Sequence, residues 1–316
     1  MDGHITVLTV NWHSAELVGH LAANLTAKAA EPGKLEFLVV DNSGDPDLLT
    51  KLKRFAPGTA ITVVTHNPEH LSGLHAHASA LNAGFDQISS EYILTADPDI
   101  HLFRENWDSF MKQLLKEKNA DAAGAPYPPW WLGTYHNFPS PVFTFAPADA
   151  MRKAETTWSP LSVTPLRELL NFVTRQILRG FFLFNRRALT AVPLMRKLTS
   201  LMEKHLPRCT MDTGSGFAQK AAHGIISAET FTAAYPDELQ KIPEVRKEYI
   251  ETAAELAKNY ELYYYDRELI LTHRYGSQNF LLKTEKGADT KHWLSLIEKM
   301  EYLQKTDTSA SGEIII

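Results

Sequence analysis

An alternation of strand and helix patterns over residues 5–99 limits the folds open to this chain more than any other feature. Short apolar runs rich in β-branched residues alternate with apolar stripes at helical spacing. We predict strands over residues 5–10, 35–40, 61–65 and 92–96, and helices over the segment after Ser14 and over residues 71–85. Strands that alternate with helices through short connections form a largely parallel sheet, so we predict an α/β fold.

Polar residues follow the ends of these strands. Asn11, Asp41, Asn67 and Asp97 each come just after a predicted strand. Because the carboxyl ends of parallel strands meet at one edge of the sheet, we expect a ligand site there. At this edge Asp41 can accept hydrogen bonds from a nucleotide base or from ribose hydroxyls. The alternative is that Asp41 closes an Asx turn on its own backbone.

Two carboxylates separated by one residue, Asp97 and Asp99, follow the fourth strand. Such a pair can hold a divalent cation, which in turn bridges the oxygens of a diphosphate. Asp-Pro-Asp is also an ordinary turn sequence, so the motif by itself leaves both interpretations open.

Composition and charge narrow the class of protein. With 44% hydrophobic and 22% charged residues among 316, the chain can bury a core of globular size. The net charge of −5 argues against a general nucleic-acid binder. The single cysteine, Cys209, excludes an intramolecular disulfide and fits a reducing compartment. We find no secretory leader and no apolar run of the roughly 18 residues that span a membrane, so we expect a cytoplasmic protein.

The second half of the chain differs from the first in composition. Residues 126–147 contain six prolines among many aromatic residues, which predicts an ordered loop without regular elements. Residues 167–208 contain nine basic and two acidic residues mixed with apolar ones. That mixture fits either a solvated helix face or peripheral contact with an anionic membrane at its cytosolic side. We also predict a helix and a strand within 212–232, helices over 243–258 and 290–304, and an extended segment over 262–272.

Four motifs, taken in order, resemble those of family-2 glycosyltransferases of the GT-A fold. They are Thr6-Val7-Leu8-Thr9-Val10-Asn11-Trp12, Val39-Val40-Asp41-Asn42-Ser43-Gly44-Asp45, the string from Asn67 to Gly73 followed by Ala78, Asn82 and Gly84, and Asp97-Pro98-Asp99. The resemblance implies a GT-A-type, mostly parallel sheet flanked by helices and a nucleoside diphosphate sugar as donor. It also implies a divalent metal, Mn²⁺ or Mg²⁺, on the Asp-x-Asp motif, and so favours the metal interpretation over the turn.

The resemblance assigns roles to single residues. It implies donor contacts from Asn11, Asp41, Asn67, Gly73, Asn82 and Asp97. It implies a metal site formed by Asp97, Asp99 and His273, the last of which stands where many GT-A enzymes have a late histidine. From the residues alone, Asn82 can instead cap backbone groups, and His273 can be structural. We treat His75 and His77 as surface or packing residues.

Two segments of the second half resemble the family less closely. Residues 179–187 resemble the Gly-led strand that borders the acceptor site, and Met211-Asp212 resembles the acidic segment that supplies the catalytic base. The family often has a Glu-Asp pair at this point, and Asp212 as a helix N-cap is the alternative. A base opposite the leaving group implies inversion at the anomeric carbon.

The residues and the resemblance together predict a metal-dependent, inverting glycosyltransferase with a glycan or lipid-linked acceptor, acting in cell-surface glycan or glycolipid synthesis. We expect a catalytic domain over 1–235, with the donor half at 1–125 and the acceptor half at 126–235, and a mainly helical extension over 236–316. The alternatives are a non-catalytic nucleotide-sugar or carbohydrate-binding module and a sugar-1-phosphate nucleotidyltransferase. The latter would need a Gly-rich basic loop where this chain has Asn11-Trp12-His13-Ser14.

Overall fold

The computed structural model describes residues 3–68, 71, 73–131, 134–161, 164–166, 169–170, 172–173, 193–205, 212–239, 247–274 and 290–308. The acceptor-side segment predicted at 179–187 lies outside these residues, as does Met211. Within the described part, no helix combines the length and the hydropathy that crossing a bilayer requires.

The first half of the chain forms the parallel part of a seven-stranded sheet. Its strands are β1 (Ile5–Asn11), β2 (Leu35–Asp41), β3 (Ile61–Thr65) and β4 (Tyr92–Ala96), and its helices are α1 (Ala15–Lys28), α2 (Leu48–Phe55) and α3 (Leu74–Phe85). The strands stand in the order β3-β2-β1-β4 and are all parallel. β1 is buried along its whole length, as expected of a central parallel strand. The predicted α/β architecture is confirmed, although the helix predicted from residue 71 begins at Leu74.

Three further strands extend this sheet beyond β4. They are β7 (Pro139–Pro147), β6 (Ala122–Pro126) and β8 (Ala228–Thr230), and β7 runs antiparallel to both β4 and β6. The prediction that 126–147 holds no regular element is therefore wrong for its second part. Pro139 and Pro141 precede Phe143, where pairing with β4 begins, and Pro147 ends the strand. Prolines at strand ends remove few ladder hydrogen bonds, so the strand tolerates them.

A second sheet combines the middle and the end of the chain. Its strands stand in the order β5 (Ile100–Leu102), β11 (Glu268–His273), β10 (Glu261–Tyr265) and β9 (Thr232–Ala233), with every pair antiparallel. The segment predicted to be extended over 262–272 is thus a hairpin, which turns at Asp266 and Arg267 with positive φ at both. Since β5 follows Asp99 directly and Ile100 pairs with His273, this sheet brings His273 to the acidic motif.

The remaining described helices surround these sheets. They are α4 (Trp107–Lys118), α5 (Ala148–Lys153), α6 (Pro193–His205), α7 (Ser215–Ala222), α8 (Pro236–Leu239), α9 (Lys247–Asn259) and α10 (Thr290–Thr308). Buried Trp293 of α10 and Tyr249 of α9 share one apolar cluster with Leu17 of α1. The helices predicted within 243–258 and 290–304 are confirmed over their described residues. The C-terminal part is therefore packed against the N-terminal half rather than set apart from it.

Candidate metal and donor site

Asp97 and Asp99 stand in the connection between β4 of the first sheet and β5 of the second. The N–H of Asp97 donates to the carbonyl of Val142 at 3.1 Å, and the carbonyl of Asp99 accepts from the N–H of Arg274 at 2.9 Å. These two bonds tie the motif to β7 on one side and to the end of β11 on the other. The side chain of Asp99 is buried, whereas that of Asp97 is partly exposed.

Three side chains converge at this point in the described part of the chain. One ligand atom from each of Asp97, Asp99 and His273 can be chosen such that all three lie within 4.8 Å of one another. Nε2 of His273 lies 3.3 Å from Oδ1 of Asp99 and 3.8 Å from Oδ2 of Asp97. The fold thus brings together three residues from two motifs more than 170 positions apart in the sequence.

The charges of the three groups are strongly coupled. Burial raises the pKa of Asp97, and His77 and His273 oppose that rise only in part. Burial also acts to raise the pKa of Asp99, but the charge and hydrogen bond of His273 outweigh it and hold the pKa below its usual range. Burial disfavours the imidazolium of His273, yet the carboxylates of Asp99 and Glu261 raise its pKa to about 10. The site therefore requires positive charge between its carboxylates.

A divalent cation fits this arrangement. Two carboxylates and an imidazole are a donor set that Mn²⁺ accepts, and the carboxylates also suit Mg²⁺. Oδ2 of Asp99 is buried and accepts no hydrogen bond from the described residues. Nε of Arg274 lies 3.7 Å from that oxygen, beyond hydrogen-bond distance. A buried carboxylate oxygen without a hydrogen bond is costly, and a cation would satisfy it.

Glu261 supports His273 from the side away from the acidic motif. It is buried, and its Oε2 lies 2.8 Å from Nδ1 of His273. The hydroxyl of Tyr263 and the indole N–H of Trp131 also donate to this carboxylate, at 3.1 Å and 3.2 Å. A carboxylate on Nδ1 fixes the proton there and directs Nε2 toward the metal position. Sequence reasoning missed Glu261, because only strand pairing places it beside His273.

His77 also borders the acidic motif. Its Nε2 lies 3.6 Å from Oδ1 of Asp97, and its side chain is 29% exposed. The interpretation of His77 as a surface or packing residue is therefore incomplete, because its contact with the end of β4 depends on how α3 packs on the sheet. We therefore add His77 to the residues that surround the site.

Asn11 and Asp41, both predicted to contact the donor, lie side by side at the ends of β1 and β2. Nδ2 of Asn11 donates to Oδ1 of Asp41 at 2.7 Å. The backbone N–H and hydroxyl of Ser43 donate to the same oxygen, and the N–H of Asp45 donates to Oδ2 at 2.9 Å. The turn that was the alternative for Asp41 is therefore present. Among the described residues Oδ2 accepts only this bond from Asp45, so it retains capacity for a ligand bond.

The other predicted donor residues occupy the surroundings of α3. Asn67 is exposed, and Gly73 precedes α3 with a φ of 52° that favours glycine. Asn82 is engaged with the loop after α5, where its Oδ1 accepts from the N–H of Trp158 at 2.8 Å and its Nδ2 donates to Ser159 at 3.0 Å. Gly84 packs against β1 and β2. Their predicted donor contacts remain predictions.

Asp212 lies in a small pocket with aromatic walls. Tyr127, Tyr135 and Phe138 line this pocket together with Asp212, whose side chain is almost fully buried. The N-cap position of α7 is Gly214, two residues after Asp212. The alternative that made Asp212 the N-cap is thus not what the structure contains.

The aromatic segment connects this pocket to the metal site. The ring of Tyr127 lies 6.1 Å from that of Trp131, whose indole N–H donates to Glu261. Glu261 in turn bonds His273. A continuous set of contacts therefore runs from the pocket wall to the proposed metal ligand.

Comparison with protein families gives one match. The sequence model described as Glycosyl transferase family 2 matches residues 7–191. This range is more than half of the chain and contains Asp97 and Asp99, whereas Asp212 and His273 lie beyond it. No curated protein sequence matches the chain.

Two solved proteins are similar to this chain at low sequence identity. The mannosyltransferase PcManGT from Pyrobaculum calidifontis, solved with GDP-Man and Mn²⁺, is 18% identical with a TM-score of 0.36, over 46% of this chain and 44% of that one. TarS 1-349 from S. aureus, solved with UDP-GlcNAc, is 14% identical with a TM-score of 0.40, over 63% of this chain and 79% of that one. The match thus spans less than half the length of the mannosyltransferase.

Proposed function

Because the chain belongs to glycosyl transferase family 2, we propose that it transfers a sugar from a nucleoside diphosphate sugar to an acceptor hydroxyl with the help of a divalent cation. The observation that carries this proposal is the convergence of Asp97, Asp99 and His273 at the carboxyl ends of the parallel strands. In open α/β sheets this is the edge at which ligands bind. We expect the product to be a glycan or glycolipid of the cell surface.

Asp97, Asp99 and His273 would hold the cation, Mn²⁺ or Mg²⁺. Bound there, the cation would neutralise the charge that develops on the diphosphate leaving group. On cation binding His273 would lose its Nε2 proton, and Glu261 would keep the remaining proton on Nδ1, so that the Nε2 lone pair is available at the acidic motif. Burial of Asp99 and Glu261 strengthens these interactions relative to water.

Donor recognition would use the strand ends. We propose that Asp41 accepts a hydrogen bond from the base through Oδ2, while Asn11 holds its other oxygen in place. Asn67 and Gly73 border the entrance to α3, where the backbone can approach the donor closely. We assign Asn82 and Asp97 to the donor as well, with Asp97 shared between ribose and metal.

Asp212 would act as general base on the acceptor. As the acceptor oxygen forms a bond to the anomeric carbon, the bond from that carbon to the diphosphate breaks and the hydroxyl proton passes to the carboxylate of Asp212. Attack from the face opposite the leaving group inverts the anomeric configuration. Tyr127 and Tyr135, which line the small pocket at Asp212 and are partly exposed, would offer rings on which a glycan or the sugar part of a lipid-linked acceptor can stack.

We propose that the domains follow the predicted division. Residues 1–125 would bind the donor, residues 126–235 the acceptor, and residues 236–316 would form the extension. The extension would contribute His273 and Glu261 to the metal site, which makes it part of the catalytic unit. We further propose a cytoplasmic location, which the single cysteine supports.

An assay of donor turnover tests this function. The full chain is incubated with UDP-, GDP- and dTDP-sugars, with Mn²⁺ or with a chelator, and release of the nucleoside diphosphate is measured. We expect metal-dependent release from at least one donor. Metal-dependent binding of a donor without any release, even with acceptor mixtures present, would instead support the non-catalytic binding module. Formation of sugar 1-phosphate and nucleoside triphosphate from the donor when pyrophosphate is added would support the nucleotidyltransferase.

A further inference from the structure

The large exposed hydrophobic side chains of the described residues are concentrated in one part of the chain. Of the 14 such side chains, eight lie between residues 166 and 201. They are Leu166, Leu169, Leu170, Phe172, Val173, Leu194, Leu198 and Leu201. Where such side chains share one face of an element, they are candidates for an interaction surface.

Helix α6 presents its leucines outward. Leu194, Leu198 and Leu201 are 62%, 44% and 56% exposed. With 100° per residue, their spacing of four and three places them within an arc of about 60° on one helix face. In an ordinary surface helix of a globular protein the apolar face points to the core. On α6 the apolar face is turned to solvent.

Arg196 explains this orientation. It lies on the side of α6 opposite the leucines, where it pairs with Asp237 and, at 3.1 Å, with Glu238. Its guanidinium also stacks on the ring of Tyr235 at 3.8 Å. These contacts hold the polar side of α6 against α8 and against Tyr235. The leucine face is therefore the one exposed to solvent.

The segment that contains this face is positively charged by sequence. Lys197 is exposed beside the leucine arc, and residues 167–208 carry nine basic against two acidic side chains, a net charge of +7 by sequence. A second copy of the chain docking through the same face would bring two such positive segments together, which disfavours that occupant. An apolar face flanked by lysine matches the boundary between headgroups and acyl chains of an anionic bilayer.

We propose that α6 lies in the surface plane of an anionic membrane, with the leucine face (Leu194, Leu198 and Leu201) below the headgroups and Lys197 at their phosphates. This inference rests on the exposure of α6 and on charge, not on the proposed catalytic function. It makes the region beyond the donor half a peripheral membrane contact, close in sequence to Asp212.

Vesicle sedimentation of the full chain tests the proposal. We expect binding to vesicles of equal parts phosphatidylcholine and phosphatidylglycerol, weakened by salt, and little binding to phosphatidylcholine alone. The triple variant Leu194→Ser, Leu198→Ser, Leu201→Ser should lose at least about tenfold in partitioning, since each leucine leaves the acyl region. Lys197→Gln should lose about fivefold.

The matched control is the double variant Ile225→Ser, Tyr302→Ser, which removes similarly exposed apolar side chains elsewhere on the surface. It should bind vesicles like the parent chain. Circular dichroism and metal-dependent donor release, measured without lipid, report on folding and on the catalytic proposal separately. Equal binding to neutral vesicles, or unchanged binding of the triple variant, overturns the inference. The inference is also overturned if the parent chain does not bind vesicles but self-associates, and the triple variant no longer self-associates.

Discussion

Oε2 of Glu261 lies 2.8 Å from Nδ1 of His273, and both side chains are buried at the junction of β10 and β11. The pair explains why His273 presents Nε2 to Asp97 and Asp99. A histidine with a free ring would have two orientations and two tautomers available, whereas this one has a single arrangement set by the carboxylate.

Glu261→Gln should weaken metal binding. The amide cannot accept from Trp131, Tyr263 and His273 at once, because one of its two ends is a donor. We expect the affinity for Mn²⁺, measured by titration calorimetry, to fall about 10- to 100-fold. Glu229→Gln is the control, since Glu229 accepts from Tyr265 at the edge of the sheet. Unchanged Mn²⁺ affinity in Glu261→Gln would remove the positioning role.

Asp99→Asn should abolish both metal binding and turnover. The change removes a buried ligand charge while keeping the side-chain volume, so the fold should persist by circular dichroism. We expect donor release to fall by about two orders of magnitude or more. Asp149→Asn, an exposed aspartate on α5, should behave like the parent chain. Full activity of Asp99→Asn at saturating Mn²⁺ would contradict the assignment.

Asp212→Asn should separate chemistry from binding. A residue that only takes the acceptor proton contributes to the chemical step, so kcat for transfer should drop about a thousandfold. Mn²⁺ affinity and the dissociation constant of the donor should stay as in the parent chain. Equal losses in donor binding and in kcat would show instead that Asp212 maintains the pocket.

Acidification should destabilise the protein through His20. Burial, and secondly the neighbouring His101, lower the pKa of His20 from 6.5 to about 4. As the pH falls, the unfolded chain therefore binds a proton at His20 before the folded protein does. The contribution of neutral His20 to the free energy of unfolding is complete above pH 6.5 and is lost as the pH falls toward 4. The loss reaches about 3 kcal/mol for a shift of this size.

His20→Asn should flatten this dependence. Urea unfolding at pH 7 and at pH 4.5 measures the difference in unfolding free energy, and exposed His223→Asn is the control. Because burial also lowers the pKa of His101, part of the pH dependence of the unfolding free energy should remain in the variant. If the unfolding free energy of His20→Asn depends on pH as steeply as that of the parent chain, other groups cause the effect.

Gly84→Ala should destabilise the fold rather than impair donor binding. A Cβ at this position would overlap the side chain of Leu8 and lie 2.9 Å from Cγ2 of Val40, between α3 and the sheet. Overpacking of this kind costs about 1–3 kcal/mol. Gly33→Ala, where a Cβ meets nothing within 4 Å, is the control. Thermal unfolding should show a lower melting temperature for Gly84→Ala alone.

Much of the fold follows from local sequence. Strands β1 to β4 and helices α1 and α3 were predictable because apolar spacing within ten or fifteen residues decides whether a segment buries one face or two, whereas α2 was not predicted. The acidic motif was predictable for the same reason, since Asp97 and Asp99 directly follow a strand. Strand β7 was missed because its prolines are atypical of a strand. That these prolines lie toward the strand ends becomes apparent only from the pairing of β7 with β4 and β6.

The sequence by itself determined strands β1 to β4, the family and the identity of the acidic pair. Only the tertiary structure decided what surrounds that pair. Glu261 reaches His273 through hairpin pairing, Trp131 reaches Glu261 across 130 residues, and Arg196 fixes which face of α6 is left to solvent. Local propensity acts over a few residues, whereas these contacts depend on which strands and helices meet. For that reason the proposed metal ligands could be predicted from the sequence, whereas the residues that support them could not.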